Sequence, residues 1–473
     1  MDDALRNRDR LLRAEDDRVG ALDVDPQFAL EHEEELVHTS RDPQAGVSAA
    51  KTDGIGPSSV VCRLRQGCFA TLGGVLAFPI GLSNGPPSAG TAPSGRNGLA
   101  EVAAAGVNLI RSGRGDWNAQ QLDAQIAAER KLLDGLASHG LHGWSWLGDL
   151  TNLPPGPSSP QAQQLAKLAD SLQGHPALAA YKGVDEPRNP FRGAKWIRPD
   201  GLVRGYQRLK QIDPAHPIVI VQAPLGTVAQ LVPYRPAFDI TGADVYPVSY
   251  PPGEHTQTAN TDISVVGDVT KKMVQAAGGK PVWMTLQIAW SGVTPTQQNP
   301  DRVPRFPTLQ AERFMAYQAI VNGARGLVFF GGHLTEIATP ADAAAGWNWT
   351  FWERVLRPVV EELSSTMLAP ALAAANAKLT VKASVAGIEL LVREAGGFLY
   401  LIAVRRSGAT SRVRFTGLPN QVADGAVLFE YVQEPPPPPI QPGHQAFRVV
   451  PVASGSFSDW FAPHDVHVYR FKL

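Results

Sequence analysis

The middle of the chain alternates between short apolar runs and longer segments with apolar residues at helical spacing. The apolar runs predict strands that begin near residues 75, 107, 141, 178, 217, 239, 281 and 326. The segments between them predict helices over residues 98–105, 122–138, 160–173, 200–211, 264–277, 308–322 and about 350–368. Strands that alternate with helices indicate parallel βα units, and eight such units favour a closed (β/α)8 barrel. A doubly wound sheet is the alternative, but no glycine-rich dinucleotide-binding motif follows the first strand.

The two ends of the chain have different patterns from this α/β region. After about residue 378, short strands with turns between them predict an antiparallel β-sandwich, over residues 381–384, 388–393, 399–405, 412–415, 427–432, 447–452 and 466–471. Residues 1–58 carry many charges and little apolar periodicity, which predicts a disordered extension. The predicted domains are therefore an extension at 1–58, a catalytic barrel at 59–375 and a β-sandwich at 376–473.

The sequence does not determine the cellular compartment of the protein. The extreme N-terminus is charged and lacks an apolar h-region, and no apolar run reaches the length of a membrane span. The weakly apolar run 67–82 would be a signal peptide if translation started near Val60, which would make the protein secreted. We favour a barrel strand there, because the count of eight strands requires one. The default expectation is then a cytoplasmic protein.

Composition excludes several classes of partner. The 473 residues carry a net charge of −1, which argues against a nucleic acid or an anionic membrane held by bulk charge. Cys62 and Cys68 are the only cysteines, so they cannot by themselves build a disulfide framework or a four-ligand zinc site. Neither metal-ligand spacing nor a phosphate-binding loop is present, and we expect no metal and no cofactor. The oligomeric state is undetermined.

Acidic residues end several of the predicted strands. Asp185 and Glu186 end strand four before Pro187, which cannot donate to a sheet ladder. Asp149 and Asp244 follow strands three and six. A parallel barrel gathers its chemistry at these carboxyl ends. Paired carboxylates across a cleft are what glycosidic cleavage requires, although a single aspartate such as Asp149 equally suits a helix cap or an ion pair.

Aromatic and polar residues near the carboxyl ends of the predicted strands favour a sugar as the ligand. Indole faces stack on sugar rings, and the candidate platforms are Trp146, Trp290 and Trp347. Trp283 and Trp352 are better explained as core residues. Trp144 and Trp146 share one face of strand three, so both lie inside the barrel or both lie outside. The further candidates for contact with substrate are Arg111, Tyr246, Gln287 and His333, although a lone histidine is more often structural.

Short motifs resemble those of a known family. Asp185-Glu186-Pro187 resembles the Asn-Glu-Pro signature of clan A TIM-barrel glycoside hydrolases, the cellulase and β-galactosidase superfamily. The resemblance implies that Glu186 is the general acid/base. Tyr246, in an Asp-Val-Tyr-Pro segment, is similar to the tyrosine of strand six that steadies the nucleophile in that clan. The stretches 323–330 and 465–469 are similar to the start of strand eight and to the closing strand of the clan's β-sandwich.

Two positions depart from the pattern of this clan. Asp185 replaces the usual asparagine, which contacts the sugar 2-hydroxyl. Strand seven should end in the nucleophilic glutamate, but Gln287 stands there, and an amide cannot act as that nucleophile. Asp244 or Asp185 would then supply the second carboxylate, with Asp149 as the next choice.

Three functions follow from these observations. The first is a glycoside hydrolase that uses Glu186 as the general acid. The second is a non-catalytic carbohydrate-binding barrel that has lost its nucleophile, as Gln287 suggests. The third is a barrel enzyme of another class, because a fold alone does not determine a reaction. In the first two the partner is a carbohydrate.

Overall fold

The computed structural model of the protein describes residues 71–72, 75–156, 158–189, 196–288, 295–303, 305–331, 339–432 and 446–473. Residues 1–58, both cysteines, the start of the proposed signal peptide and the proline run at 435–439 lie outside the described residues. Among the described residues, no helix combines the length and the apolar character that crossing a bilayer requires.

Eight parallel strands form a closed barrel, as the alternating pattern predicts. They are β1 (Ile80–Leu82), β2 (Leu109–Gly113), β3 (His142–Trp146), β4 (Leu178–Asp185), β5 (Ile218–Gln222), β6 (Ile240–Val245), β7 (Trp283–Gln287) and β8 (Gly326–Phe330). Each strand pairs with its neighbour in sequence, and β8 closes the barrel on β1. All eight carboxyl ends therefore surround one mouth.

Helices connect the strands at nearly the predicted positions. They are α1 (Gly98–Ala105), α2 (Leu122–Ala137), α3 (Pro160–Leu172), α4 (Pro199–Ile212), α5 (Val228–Leu231), α6 (Val265–Ala277), α7 (Leu309–Val321), α8 (Pro340–Ala345), α9 (Trp349–Phe351), α10 (Arg357–Ser364) and α11 (Ala369–Leu372). Three-residue or longer 3₁₀ helices lie at Ala119–Gln121, Gly148–Thr151 and Val232–Ala237.

Three boundaries differ from the sequence-based expectation. Val75–Leu76 pairs with Thr71–Leu72 in a separate hairpin, so the first barrel strand begins only at Ile80. The connection between β5 and β6 contains α5 and a 3₁₀ helix. The helix expected over 350–368 is broken by a π-helical turn, and Pro358 follows this turn. Proline has no N–H to donate to a preceding carbonyl, so it fits the first turn of a new helix better than the interior of a long one.

Two tryptophans fill the barrel interior below the mouth. Trp144 and Trp283 pack edge to face with ring centroids 6.3 Å apart. Gly326 makes room for them, because a Cβ atom there would lie 2.7 Å from the indole ring of Trp283. Trp144 and Trp283 are almost fully buried, as predicted for Trp283. These two indoles therefore close the barrel interior below the carboxyl-end mouth.

Two antiparallel sheets follow the barrel and form a C-terminal sandwich-like domain. Its strands are β9 (Lys382–Ala383), β10 (Ile388–Ala395), β11 (Phe398–Arg405), β12 (Ser411–Thr416), β13 (Asp424–Val432), β14 (Ala446–Pro451), β15 (Ser456–Phe461) and β16 (Val466–Lys472). The sheets have the orders β9-β12-β15 and β10-β11-β16-β13-β14. Strand β15 was not predicted, because its pattern Ser-Phe-Ser-Asp-Trp-Phe places an aspartate on the buried face and a tryptophan on the exposed one.

The five-stranded sheet packs on the barrel helices, and polar contacts fix the junction. Glu389 on β10 accepts hydrogen bonds from Gln318 and Asn322, at 3.0 Å each, and pairs with Lys271 at 2.6 Å. Arg406 forms a bidentate pair with Asp268 of α6. Burial alone would raise the pKa of Glu389, but the bonds from Lys271, Asn322 and Gln318 outweigh it and lower the pKa. Glu389 is therefore held ionised between the two domains.

We expect the variant Glu389→Gln to be less stable than the wild type at pH 7, by on the order of 1–2 kcal/mol, because charge-assisted bonds become neutral. A carboxyl group with a lowered pKa stabilises the fold above its unfolded value and loses that contribution as pH falls through the folded value. The difference in thermal midpoint, followed by circular dichroism, should therefore shrink as pH falls below about 4.5. A difference that does not depend on pH would contradict this role.

Candidate active site

Strand β4 ends at the mouth in an unusual backbone turn. Glu186 has a φ of 44°, which side-chain-bearing residues rarely adopt. Its N–H donates to the Val221 carbonyl at 2.9 Å, and its Oε2 accepts from the Asn189 amide at 2.5 Å. These contacts hold the turn and fix the direction of the carboxylate. Backbone strain that neighbouring contacts maintain is common at functional sites.

Lys182, three residues earlier on β4, is a buried cation that the sequence analysis did not identify. Its Nζ donates to Asp185 Oδ1 at 2.7 Å and lies 4.7 Å from the ring centroid of Trp146. The side chain is 4% exposed. The available signal was a single lysine inside the apolar run of strand four, because a charge there requires a partner. Asp185 is that partner.

Asp244, at the end of β6, is the most perturbed acid of the site. Its Oδ2 accepts from the Tyr246 hydroxyl at 2.7 Å, while Oδ1 is shielded from solvent and has no hydrogen-bonding partner among the described residues. Burial raises the pKa of Asp244 well above its ordinary value, and the charges of Asp185 and Glu186 raise it further. Lys182 and the bond from Tyr246 oppose the increase without cancelling it. The structure thus favours a protonated Asp244.

Arg111 on β2 adds a second cation to the same mouth. Its Nη2 donates to Asn84 Oδ1 at 2.7 Å, and its guanidinium carbon lies 4.8 Å from the ring centroid of Trp146. Burial lowers the pKa of Arg111, and the charges of Asp185, Tyr246 and Asp244 partly oppose this effect. The mouth therefore combines two cations with three carboxyl groups, from strands two, four and six.

Trp144 and Trp146 both face the barrel interior, because Trp144 packs on Trp283 and Trp146 contacts the two cations. Trp146 is half-buried, and the cations over its ring cover part of the surface that a sugar would need. Its role as a sugar platform stays a prediction. Trp290 and His333, the other strand-end candidates, lie outside the described residues.

Trp347 is a core residue, which corrects its assignment as a possible platform. It is 1% exposed and packs against Trp349 with ring centroids 4.7 Å apart. Its indole N–H donates to the Asn84 carbonyl at 3.0 Å. Trp352 belongs to the same aromatic cluster, as expected for a core position.

Gln287 anchors the loop after β6, and its role as a substrate contact stays a prediction. Its Oε1 accepts from the Val248 N–H at 2.9 Å, and its Nε2 donates to the Val248 carbonyl at 2.8 Å. The side chain is buried, and both polar atoms of its amide bond to the backbone of Val248. A carboxylate could not make the second bond, because it has no hydrogen to donate.

Asp149 and Trp196 lie near the ends of strands β3 and β4, at the rim of the mouth. Asp149 lies exposed in the 3₁₀ helix after β3, so its part in substrate binding stays a prediction. Trp196, which the sequence analysis did not single out, is 43% exposed and has the Arg188 guanidinium 4.2 Å from its ring centroid. The hydrogen bond from Ile197 N–H to the Pro187 carbonyl holds this segment beside the end of β4. Among the described residues, no three or more His, Cys, Asp or Glu side chains are arranged so that they could hold a metal ion.

We expect the variant Gln287→Glu to lose stability as pH rises above about 4.3, the ordinary value for glutamate, because the introduced carboxyl group then loses the proton it needs to donate to Val248. The loss at neutral pH should be about 1–3 kcal/mol, and the measurement is a denaturant midpoint at several pH values. The matched control Gln287→Leu removes both bonds and should be destabilised equally at every pH. A variant Gln287→Glu as stable as the wild type at pH 8 would refute the anchoring role.

Comparison with known proteins shows a similarity of fold. No protein-family model matches the chain, and no curated protein sequence does. The fold is similar to a glycoside hydrolase family 5 structure from Bacteroides vulgatus, with 12% identity, a TM-score of 0.51 and coverage of 84% of this chain and 90% of that one. A family 30 endoxylanase from Clostridium papyrosolvens matches with 10% identity, a TM-score of 0.46 and coverage of 86% and 98%. The chain has the TIM-barrel fold found in glycoside hydrolases, followed by C-terminal antiparallel sheets.

Proposed function

We propose that the barrel is a glycoside hydrolase and that Asp244 and Glu186 are its two catalytic carboxyl groups. The observation that carries the proposal is the difference between their surroundings. Burial and the charges of Asp185 and Glu186 raise the pKa of Asp244 well above its ordinary value, whereas Glu186 Oε2 accepts a hydrogen bond from the Asn189 amide. Two acids whose surroundings push their pKa values apart can divide the roles of proton donor and base.

In the proposed reaction, the proton of Asp244 passes to the glycosidic oxygen as the bond from that oxygen to the anomeric carbon breaks. Glu186 either attacks the anomeric carbon or takes a proton from the water that does so. In the first case, water later releases the sugar and returns a proton to Asp244. The motif resemblance assigns the acid to Glu186, and the environments of the two groups favour the opposite assignment in the resting protein.

Lys182 and Arg111 would set the charge balance of this pair. Lys182 neutralises Asp185 at 2.7 Å, so Asp185 is better suited to orienting Lys182 or a sugar hydroxyl than to nucleophilic attack. Arg111 lies close enough to both aspartates for their charges to affect its pKa. Lys182 limits how far the charges of Asp185 and Glu186 raise the pKa of Asp244.

A second candidate function, a carbohydrate-binding barrel without catalysis, is favoured by one observation. Gln287 stands where the resembling clan carries its nucleophile, and both of its polar atoms are bonded to Val248. No carboxylate from strand seven would then take part. The two proposals share a carbohydrate ligand and differ only in turnover.

The deciding experiment measures hydrolysis of a panel of aryl glycosides and polysaccharides by the wild type, Glu186→Gln and Asp244→Asn. Replacing an essential acid or base should lower the rate by about 10²–10⁴-fold. The matched control is Glu361→Gln, on the outside of α10, which should keep full activity. Equal rates in wild type and both site variants would remove these residues from the mechanism. Sugar binding without turnover in the wild type would favour the binding barrel.

The charge balance predicts opposite shifts of the pH–rate profile in two further variants. Lys182→Met removes a cation and should raise the pKa of Asp244, so the alkaline limb should move to higher pH. Asp185→Asn removes an anion and should move the same limb to lower pH. Profiles of kcat/KM against pH for both variants test this. Shifts in the same direction would exclude Asp244 as the proton donor.

A further inference from the structure

The three-stranded sheet of the C-terminal domain has one face directed away from the domain core. In its register, Arg412 pairs with Trp460, Arg414 with Ser458 and Thr416 with Ser456. The intervening pairs, such as Phe415 with Phe457, are buried between the two sheets. The alternation of strands therefore places one set of side chains outward, and these are Lys382, Arg412, Arg414, Thr416, Ser456, Ser458 and Trp460. We call this set the outer face.

Trp460 is an unusual component of the outer face. It is 61% exposed, whereas Trp144, Trp347 and Trp349 are each 1% exposed. A single exposed apolar residue is ordinary on a protein surface. Trp460 is different because its cross-strand partner is an arginine and serine hydroxyl groups occupy the other outward positions of its strand.

The outer face is positively charged. Its outward positions carry three cations, Lys382, Arg412 and Arg414, and no carboxylate. The two arginines are two residues apart on the middle strand, so their backbone positions are roughly 7 Å apart. Asp459 of β15 faces the opposite way, where Arg448 binds it at 3.0 and 2.7 Å. The positive charge of the outer face is therefore not neutralised within the sheet.

A shallow groove follows the same side chains. It has a volume of about 380 Å³ and is lined by Arg412, Arg414, Pro451, Ser456, Phe457 and Ser458. Arg414 Nη2 donates to Ser456 Oγ at 3.1 Å, which holds that guanidinium along the groove. The groove thus combines oriented donors with hydroxyl groups, beside an exposed indole.

We propose that the outer face binds an acidic polysaccharide, with a sugar ring stacked on Trp460 and carboxylate or sulfate groups bound by Arg412 and Arg414. Guanidinium groups bind such oxyanions with paired hydrogen bonds, and indole faces stack on the apolar faces of sugar rings. The outward hydroxyls suit hydroxyl-rich sugars. A single large apolar side chain offers little for insertion into a membrane. The choice of a glycan over a single-stranded nucleic acid rests on the proposed function of the barrel.

The experiment uses the full chain with the substitution Asp244→Asn as background, so that binding is measured without depolymerisation. Affinity for polygalacturonate and for neutral arabinoxylan is compared by affinity electrophoresis and calorimetry. Trp460→Ala and the double variant Arg412→Gln/Arg414→Gln should each weaken binding to polygalacturonate by about tenfold, equivalent to about 1.4 kcal/mol. Trp460→Phe should recover most of the affinity. Exposed Lys472, on the other sheet, provides the charge control Lys472→Gln, which should bind like the parent.

Hydrolysis of short aryl glycosides in the wild-type background separates this proposal from the function of the barrel. Trp460→Ala should leave that rate unchanged, whatever substrate the barrel accepts. Equal affinity of parent and variants for polygalacturonate would overturn the proposal, even if the barrel proved to be a hydrolase. Tighter binding to single-stranded DNA or to anionic vesicles than to polygalacturonate would also overturn it and assign the outer face to that partner. Equal binding of the neutral polysaccharide would exclude the acidic ligand.

Discussion

The balance of charge at the barrel mouth is the constraint on which the rest of the site depends. Asp185, Glu186 and Asp244 come together because parallel strands bring their carboxyl ends to one place. Three negative charges in a half-buried space would strongly repel one another. Lys182 pairs with Asp185, and Arg111 lies near both aspartates. Burial and the charges of Asp185 and Glu186 raise the pKa of Asp244, which favours its neutral form and reduces the repulsion in the mouth.

Seven of the tryptophans divide into three groups with different surroundings. Trp144 and Trp283 fill the barrel interior below the mouth. Trp347, Trp349 and Trp352 pack together beside the barrel wall. Among the described residues, Trp196 and Trp460 are the exposed tryptophans, one after strand β4 of the barrel and one in the C-terminal sheets. Exposure therefore distinguishes these two indoles from the buried ones more clearly than position relative to a strand end does.

Gln287 illustrates how one residue can change the use of a common scaffold. At the end of strand seven, an amide both donates to and accepts from the backbone of Val248, and so it joins β7 to the segment after β6. That segment contains Tyr246, whose hydroxyl bonds to Asp244. The amide thus supports the tyrosine and the aspartate indirectly. Strand seven therefore ends in an amide, and the carboxyl groups of the mouth come from strands four and six.

The sequence by itself determined the class of fold, most element positions and the acids at the ends of strands four and six. Hydrophobic periodicity is a local property, and it located helix Gly98–Ala105 without error. Local periodicity could not reveal that Val75 belongs to a hairpin or that Pro358 follows a break in the last helix. Nor could it place Lys182, Trp347 or Gln287, because their roles depend on partners distant in sequence. Only the tertiary structure decided which acid is neutral, since that depends on burial and on charges contributed by separate strands.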